Sequence, residues 1–279
     1  VSGLAAPPSG LPTGPWTGGA VGAAALCVLA PNPSPMTLDG TNTWVVGASG
    51  GPCVVVDPGP DDDAHLDVVL EAVRVRGGRL RAVLLTHGHA DHSAGAAGFA
   101  ARAGVGVRAL DPAHRLGDES LGAGDVVEVA GGRIDVVATP GHTSDSLCFV
   151  LTADGEAPAV LTGDTVLGRG TSVVAHPDGR LAAYLDSLRR LEALVETVGV
   201  AAVLPGHGPV LGLPDVAPLD VVRFYLAHRA ERLEQVRAAV AAGAVTAADV
   251  VDRVYTDIPR AVRPAAELSV AAQLEYLRS

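Results

Sequence analysis

The sequence predicts an α/β fold of the α+β kind: two mixed sheets packed face to face, with helices outside. Three observations carry this expectation. Short apolar runs with strand character come in pairs around glycine-containing turns, a hairpin signal. Single amphipathic stretches separate these pairs without alternating regularly with them, so a uniform βαβ series is not indicated. From about Pro218 onward only helical periodicity remains. The domain plan is therefore a flexible Gly-, Pro- and Ser-rich arm over 1–19, a two-sheet domain over 20–217, and a small helical domain over 218–279.

Taken in order, Ala24 to Ala30 reads as a first strand, broken by Pro31-Asn32-Pro33-Ser34-Pro35. Thr43 to Val46 and Cys53 to Val56 form a hairpin around Gly-Ala-Ser-Gly-Gly. Asp57 closes the second strand. Asp61-Asp62-Asp63 then supplies an N-cap and dipole-matched charge for a helix reaching about Arg76, where Gly77-Gly78 stops it. Leu80 to Leu85 is the next strand, followed by an Ala-rich helix from about Ser93 to Ala103 and a strand over Val105 to Leu110. Val126 to Val129 pairs with Ile134 to Ala138, and Leu147 to Leu151 with Ala159 to Leu161. Apolar residues at helical spacing mark Leu181 to Val198, and Val200 to Leu204 is a buried strand. Helices are expected over Leu219 to Ala242, Ala247 to Val254 and Pro264 to Leu277.

The chain has 279 residues, enough for one large core with an appended unit. All 20 basic residues are arginine, and the formal net charge is −11. That acidity argues against a protein that grips double-stranded DNA or an anionic membrane, since both demand a basic surface. Cys27, Cys53 and Cys148 stand apart in apolar strand-like runs and read as small buried hydrophobes, not as a disulfide framework. No stretch has the roughly eighteen uninterrupted apolar residues of a spanning helix, and no export signal is evident. A soluble, cytoplasmic protein is expected.

Chemistry concentrates in Thr86-His87-Gly88-His89-Ala90-Asp91-His92, directly after the apolar run Ala82-Val83-Leu84-Leu85. Imidazole and carboxylate are ligands of borderline divalent metals, zinc above all. A strand ending at Thr86 aims these side chains at the carboxyl end of a sheet. Three further strands each deliver one such group into a glycine turn: Pro140-Gly141-His142, Gly163-Asp164 and Pro205-Gly206-His207-Gly208. A lone histidine after a strand is more often structural. Three deliveries added to the cluster make a metal centre the better reading.

This set, in this order, resembles the metal-ligand set of the metallo-β-lactamase superfamily, with gaps of roughly fifty, twenty and forty residues. The resemblance implies the four-layer αββα sandwich. It also implies that His87, His89 and His142 hold one metal, that Asp91, His92 and His207 hold a second, and that Asp164 bridges them. Asp57 matches a family aspartate that orients a ligand histidine. Two divalent ions, zinc by preference, share a hydroxide whose pKa falls toward about 7, and it attacks a carbonyl or phosphorus. Asp91 could also hold or shuttle a proton, although water could do the same.

Asn32 to Trp44, Thr139 to Thr143, Gly163 to Thr165, Pro205 to Pro209 and Tyr225 to Arg229 resemble the β-lactamase-like-protein-2 family, whose tail is a small winged-helix-like domain. Members of that family act as endoribonucleases on single-stranded RNA or as thioesterases. The resemblance therefore implies a dinuclear hydrolase, with single-stranded RNA as one substrate and a thioester, glyoxalase-II-like reaction as the alternative. A non-catalytic protein with a structural metal fits a seven-ligand set less well. The segment from Pro218 carries eight arginines and eight acidic residues, so it offers no basic excess. Asn42, His228 and Arg229 are candidate substrate contacts. A turn-forming role for Asn42, and a capping or ion-pairing role for the other two, would also explain them.

Overall fold

Successive side chains on a strand point to opposite faces, and the hairpin of β3 (Asn42–Val46) and β4 (Pro52–Val56) uses both. Trp44, Val46, Val54 and Val56 enter a core between two sheets, while Val45, Cys53 and Val55 enter another on the outer face. A computed structural model describes residues 6–256 and 258–279 of the chain, so the first five residues of the expected arm lie outside the described residues.

The first sheet runs β1 (Gly19–Val21), β2 (Ala25–Leu29), β3, β4, β5 (Arg79–Leu84), β6 (Gly106–Arg108). It is antiparallel up to β4 and parallel from β4 to β6. Parallel neighbours need crossovers. These are α1 (Asp63–Val75) and the pair α2 (Ala90–Ser93) and α3 (Ala96–Ala103). Leu66, Val69 and Phe99 from these crossovers cover Val45, Val55 and Val83. Asp62 caps α1 by accepting from the backbone N–H groups of Ala64 and His65 at 2.9 and 3.1 Å, worth about 1 kcal/mol.

The second sheet has the order β12 (Leu211–Gly212), β11 (Ala202–Pro205), β10 (Ala159–Gly163), β9 (Leu147–Ala153), β8 (Gly132–Ala138), β7 (Val126–Val129). Only β10 and β11 are parallel, joined through α4 (Leu181–Val198). Ile134, Val136, Phe149, Leu151 and Leu161 meet the first sheet in the central core. On the outer face, Cys148, Val150, Val160 and Val203 pack against Tyr184, Leu188 and Leu191 of α4 and against Val222 and Tyr225 of α5 (Pro218–Ala241). The expected arrangement of two mixed sheets with helices outside is the one observed.

The differences have local causes. The single helix expected over 93–103 is two helices, and it starts earlier, at Ala90. The break falls at Gly95, where a Cβ would stand 2.7 Å from the Pro60 carbonyl oxygen. The early start places Asp91 and His92 on a helical turn instead of in an open loop. β1 and β12 escape sequence reading, because three and two residues are too short to show a period. From residue 6 onward the arm lies along the sandwich. Leu11 packs on the outer core of the second sheet, and the Trp16 indole N–H donates to Asn42 Oδ1 at 2.8 Å.

After β12 the described residues form helices only. The far half of α5, α6 (Ala247–Val254) and α7 (Arg263–Arg278) bury Val236, Ala239, Val250, Val251 and Val270 in a core of their own. A reciprocal cap of Thr246 with Asp249 opens α6. α5 is continuous through both regions, so its first half belongs to the sandwich and its second to the tail.

Candidate metal centre

Five chain segments leave the same end of the two sheets and converge. Asp57 follows β4, Thr86 to His92 follow β5, and His142, Asp164 and His207 follow β8, β10 and β11. The imidazole nitrogens face one another. His89 Nδ1 lies 3.1 Å from His87 Nε2 and 3.0 Å from His142 Nε2, while His92 Nε2 lies 3.2 Å from His207 Nε2. Asp91 Oδ2 is 3.1 Å from His207 Nε2. The Asp164 carboxylate stands between the groups, with Oδ1 3.4 Å from His92 Nε2 and Oδ2 3.4 Å from His207 Nε2 and 3.7 Å from His142 Nε2.

Two clusters result: His87, His89, His142 and Asp164, and beside it Asp91, His92 and His207. Both are able to bind a metal ion.

What orients these rings lies behind them. His142 Nδ1 donates to the Val173 carbonyl at 2.6 Å and has the Ser172 hydroxyl at 3.2 Å. His207 Nδ1 donates to the Gly40 carbonyl at 3.1 Å. Asp57 Oδ2 accepts from His92 Nδ1 at 2.9 Å and from the Thr86 hydroxyl at 2.6 Å, and Oδ1 accepts from the Thr86 backbone N–H at 2.8 Å. With its hydrogen turned to Asp57, the Thr86 oxygen accepts from His87 Nδ1 at 3.0 Å. A proton fixed on each outer Nδ1 leaves the Nε2 lone pair facing inward, the tautomer a metal requires. Asp57 adopts φ +51, a left-handed conformation that aspartate tolerates better than most residues. Two glycines allow the approach. A Cβ on Gly206 would stand 2.7 Å from His92 Cε1, and one on Gly163 would stand 2.6 Å from Thr86 Oγ1.

The donor set fits a cation. Inward ring nitrogens stand 3.0–3.2 Å from one another, so with each outer Nδ1 protonated their lone pairs repel unless a proton or a metal cation sits among them. Asp164 Oδ1 is buried with no hydrogen-bond partner, a state that costs roughly 1–3 kcal/mol or more for a charged group. Electrostatics point the same way. Burial, with His92 next, holds the His87 imidazole well below its ordinary pKa. Burial also opposes charge on His92, but the Asp164 and Asp57 carboxylates outweigh it and raise that pKa well above the usual value. His207 is pushed up to about 9 against its own burial, chiefly by Asp164. Asp164 lies well below the carboxylate range, because His207 and His92 more than offset desolvation.

Residues 36–207 match the Metallo-beta-lactamase superfamily. The chain belongs to that superfamily. It is accordingly a hydrolase by family, and residues 246–279 match the Beta-lactamase associated winged helix domain. The chain is similar to "Atrochrysone carboxyl ACP thioesterase" of Passalora fulva, with 31% identity over 82% of this chain and 67% of that protein. It is also similar to "Beta-lactamase-like protein 2 homolog" of Caenorhabditis elegans, with 30% identity over 90% of this chain and 82% of that protein. A metallo-beta-lactamase family protein from Thermus thermophilus shares the fold at a TM-score of 0.71 and 23% identity, covering 91% and 93% of the two chains.

Within this superfamily fold, two of the three candidate substrate contacts are bonded to the backbone behind the histidine cluster. Asn42 is fully buried. Its amide donates to the carbonyls of Pro205 and Gly208 at 2.9 and 2.8 Å, pinning the turn that carries His207. Arg229 is buried on α5, donates to the Ser172 carbonyl and lies over the Tyr184 ring at 5.0 Å. It thus steadies the segment behind His142. His228 is half-buried against Phe224. Thr86 and Ser172 escape sequence reasoning as supports of the ligand rings, because a threonine or serine beside a strand carries no spacing signal. His114 escapes it too. Its Nε2 lies close enough to clash with a Cβ on Gly88, and the ring is grouped with Asp111 and Asp145. Cys27 and Cys148 are buried free thiols pushed up to about 12 and about 11 by burial, so neither is a nucleophile.

Burial, reinforced by Arg229 and Arg232, pushes the His228 imidazole down to about 4. An unfolded histidine titrates near about 6.5. The stability that His228 contributes is therefore complete above about pH 6.5. It is lost as the pH falls toward about 4, because the unfolded chain takes up the proton first. Relative to the native sequence, His228→Gln should gain stability in urea titrations as the pH drops from about 7 to about 5. A difference that stays constant with pH would show an imidazole in contact with solvent.

Proposed function

We propose that the protein hydrolyses carboxylic thioesters with the help of two divalent metal ions, zinc being the cation best suited to this imidazole and carboxylate set. His87, His89 and His142 would hold one ion, and Asp91, His92 and His207 the other. The observation that carries the reading is Asp164: one carboxylate faces both histidine groups at 3.4–3.7 Å. Bound there, the ions would supply Lewis acidity and lower the pKa of water. We assign the catalytic machinery to residues 20–217 and treat 218–279 as a helical unit packed beside it.

The side chains of the chain define the rest. Asp57 and Thr86 lock His92 and His87 in the inward-facing tautomer. Asp91 is the most open carboxylate of the cluster, with 31% of its side chain exposed, and its Oδ2 stands 3.1 Å from His207 Nε2. That position suits it to take the proton of the attacking water and pass it to the departing sulfur. In net terms, the water oxygen bonds to the acyl carbon, the C–S bond breaks, and the thiol leaves with the proton.

Two things favour a thioester over RNA. Two relatives, matched over 82% and 66% of this chain, are named atrochrysone carboxyl ACP thioesterases. The chain is strongly acidic, and the two arginines beside the loop that supports the centre are engaged within the protein, Arg169 with Asp39 and Arg229 with Ser172. A polyanion needs free cations.

Metal content should be measured alongside hydrolysis of an acyl-N-acetylcysteamine thioester and of labelled single-stranded RNA, before and after chelation. Thioester hydrolysis that disappears with chelator and returns with zinc is expected. RNA cleavage without thioester hydrolysis would reassign the substrate, and full activity in metal-stripped protein would overturn the mechanism.

A further inference from the structure

The loop after Asp164 forms one wall of a cavity of about 440 Å3, within the range of small-molecule sites, roughly 300–1,000 Å3. Its walls are mostly apolar: Leu11 of the arm, Leu167 of the loop after Asp164, and Leu211, Val221 and Phe224 from β12 and α5. The same loop supports the metal cluster. The Gly168 N–H donates to the His207 carbonyl at 2.9 Å. Ser172 and Val173, just beyond, contact His142 Nδ1 at 3.2 and 2.6 Å. The Tyr225 hydroxyl accepts from the Leu167 N–H at 2.8 Å and fixes the loop to α5. One loop therefore carries the cavity wall and the supports of two histidines.

Two polar atoms of lining side chains, Arg169 Nε and His228 Nδ1, are buried without a hydrogen-bond partner. Buried polar atoms are rarely left unpaired. Arg169 also ties the cavity to the rim of the metal site. Its guanidinium pairs with Asp39, next to Leu38, which lies over Gly208 in the His207 turn.

We propose that this cavity receives the acyl chain of the substrate, an apolar chain that carries an oxygen acceptor for Arg169 and His228. The inference rests on the thioesterase reading and extends it from reaction type to substrate class. The apolar wall takes the methylenes. The loop that lines the cavity also bonds the His207 turn, which couples the bound chain to the metal cluster, and the thiol-bearing half of the thioester remains outside. His228, neutral as buried here, offers a hydrogen bond without a second positive charge beside Arg169.

The test uses the zinc-loaded full chain with N-acetylcysteamine thioesters from acetyl to decanoyl, and with 3-oxo counterparts. Binding of the matching free acids is measured by calorimetry. We expect kcat/KM to rise about threefold to fourfold per added methylene until the cavity is full, and the 3-oxo group to add about twofold to tenfold. Thr171→Trp, which projects bulk into the cavity, should end the rise at shorter chains and weaken binding of the longer acids.

An active enzyme with no chain-length dependence would overturn the cavity assignment while leaving the thioesterase reading intact. Acid binding that Thr171→Trp does not alter would overturn it as well. Failure to hydrolyse any thioester would instead overturn the reaction, and the substrate assignment with it. The chain-length series on the unmutated protein decides the point even if the tryptophan variant does not fold.

Discussion

Asp164→Asn should reduce kcat/KM for hydrolysis by at least about a thousandfold, equivalent to about 4 kcal/mol of barrier. The amide keeps the shape of the side chain but removes the negative charge facing His92, His142 and His207. It also turns one of the two oxygens into an NH2 group that cannot bind a cation. Metal analysis after dialysis should find fewer ions per chain than in the native protein. The Asp164 charge also holds His92 and His207, so some loss of stability is expected too, and activities are compared per folded chain. Unchanged activity with a full metal complement would sink the two-ion mechanism, because no other carboxylate among the described residues of the site faces both histidine groups.

Asp57→Ala should be the most damaging substitution to the fold around the site. Asp57 is 1% exposed and accepts three hydrogen bonds, from the Thr86 N–H, the Thr86 hydroxyl and His92 Nδ1. Alanine would leave these donors buried and unpaired, and it would have to adopt φ +51 without the local hydrogen bonding that helps aspartate there. A loss on the order of 3–5 kcal/mol is expected in chemical denaturation. Asp57→Asn separates orientation from folding. It keeps the side-chain shape at that backbone conformation but weakens the hold on His92, and metal affinity should fall about 10- to 100-fold. Native metal affinity in Asp57→Asn would show that the His92 tautomer is set elsewhere.

The sequence made the sandwich legible because strand alternation and hairpin glycines are local signals. Thr43 to Val46 already reads as a strand, and the structure sends its neighbours Val45 and Val46 to different cores. The candidate metal-binding residues were legible because they cluster in turns after apolar strands, with His87, His89, His142, Asp164 and His207 beside glycine. The supports behind them were not. Thr86 earns its place through a geometry in which one hydroxyl joins Asp57 to His87, and Ser172 does so through a loop with no periodic pattern. Asn42 and Arg229 illustrate the converse. Polar residues near a motif invite a substrate role, yet Asn42 and Arg229 prove to be bonded to backbone carbonyls. Only contacts between distant segments, such as Asn42 with Pro205, reveal this.

The continuity of α5 carries a thermodynamic consequence. Its Tyr225 hydroxyl and Arg229 guanidinium hold Leu167 and Ser172, on the loop behind His142 and His207, while its far end is buried among α6 and α7. If the cluster binds metal as proposed, its occupancy and docking of the C-terminal helices should be linked equilibria, each favouring the other by the same free energy. The tail acts as a reporter of the site. Amide exchange in α6 and α7 should slow when ions fill a cluster that neither helix touches.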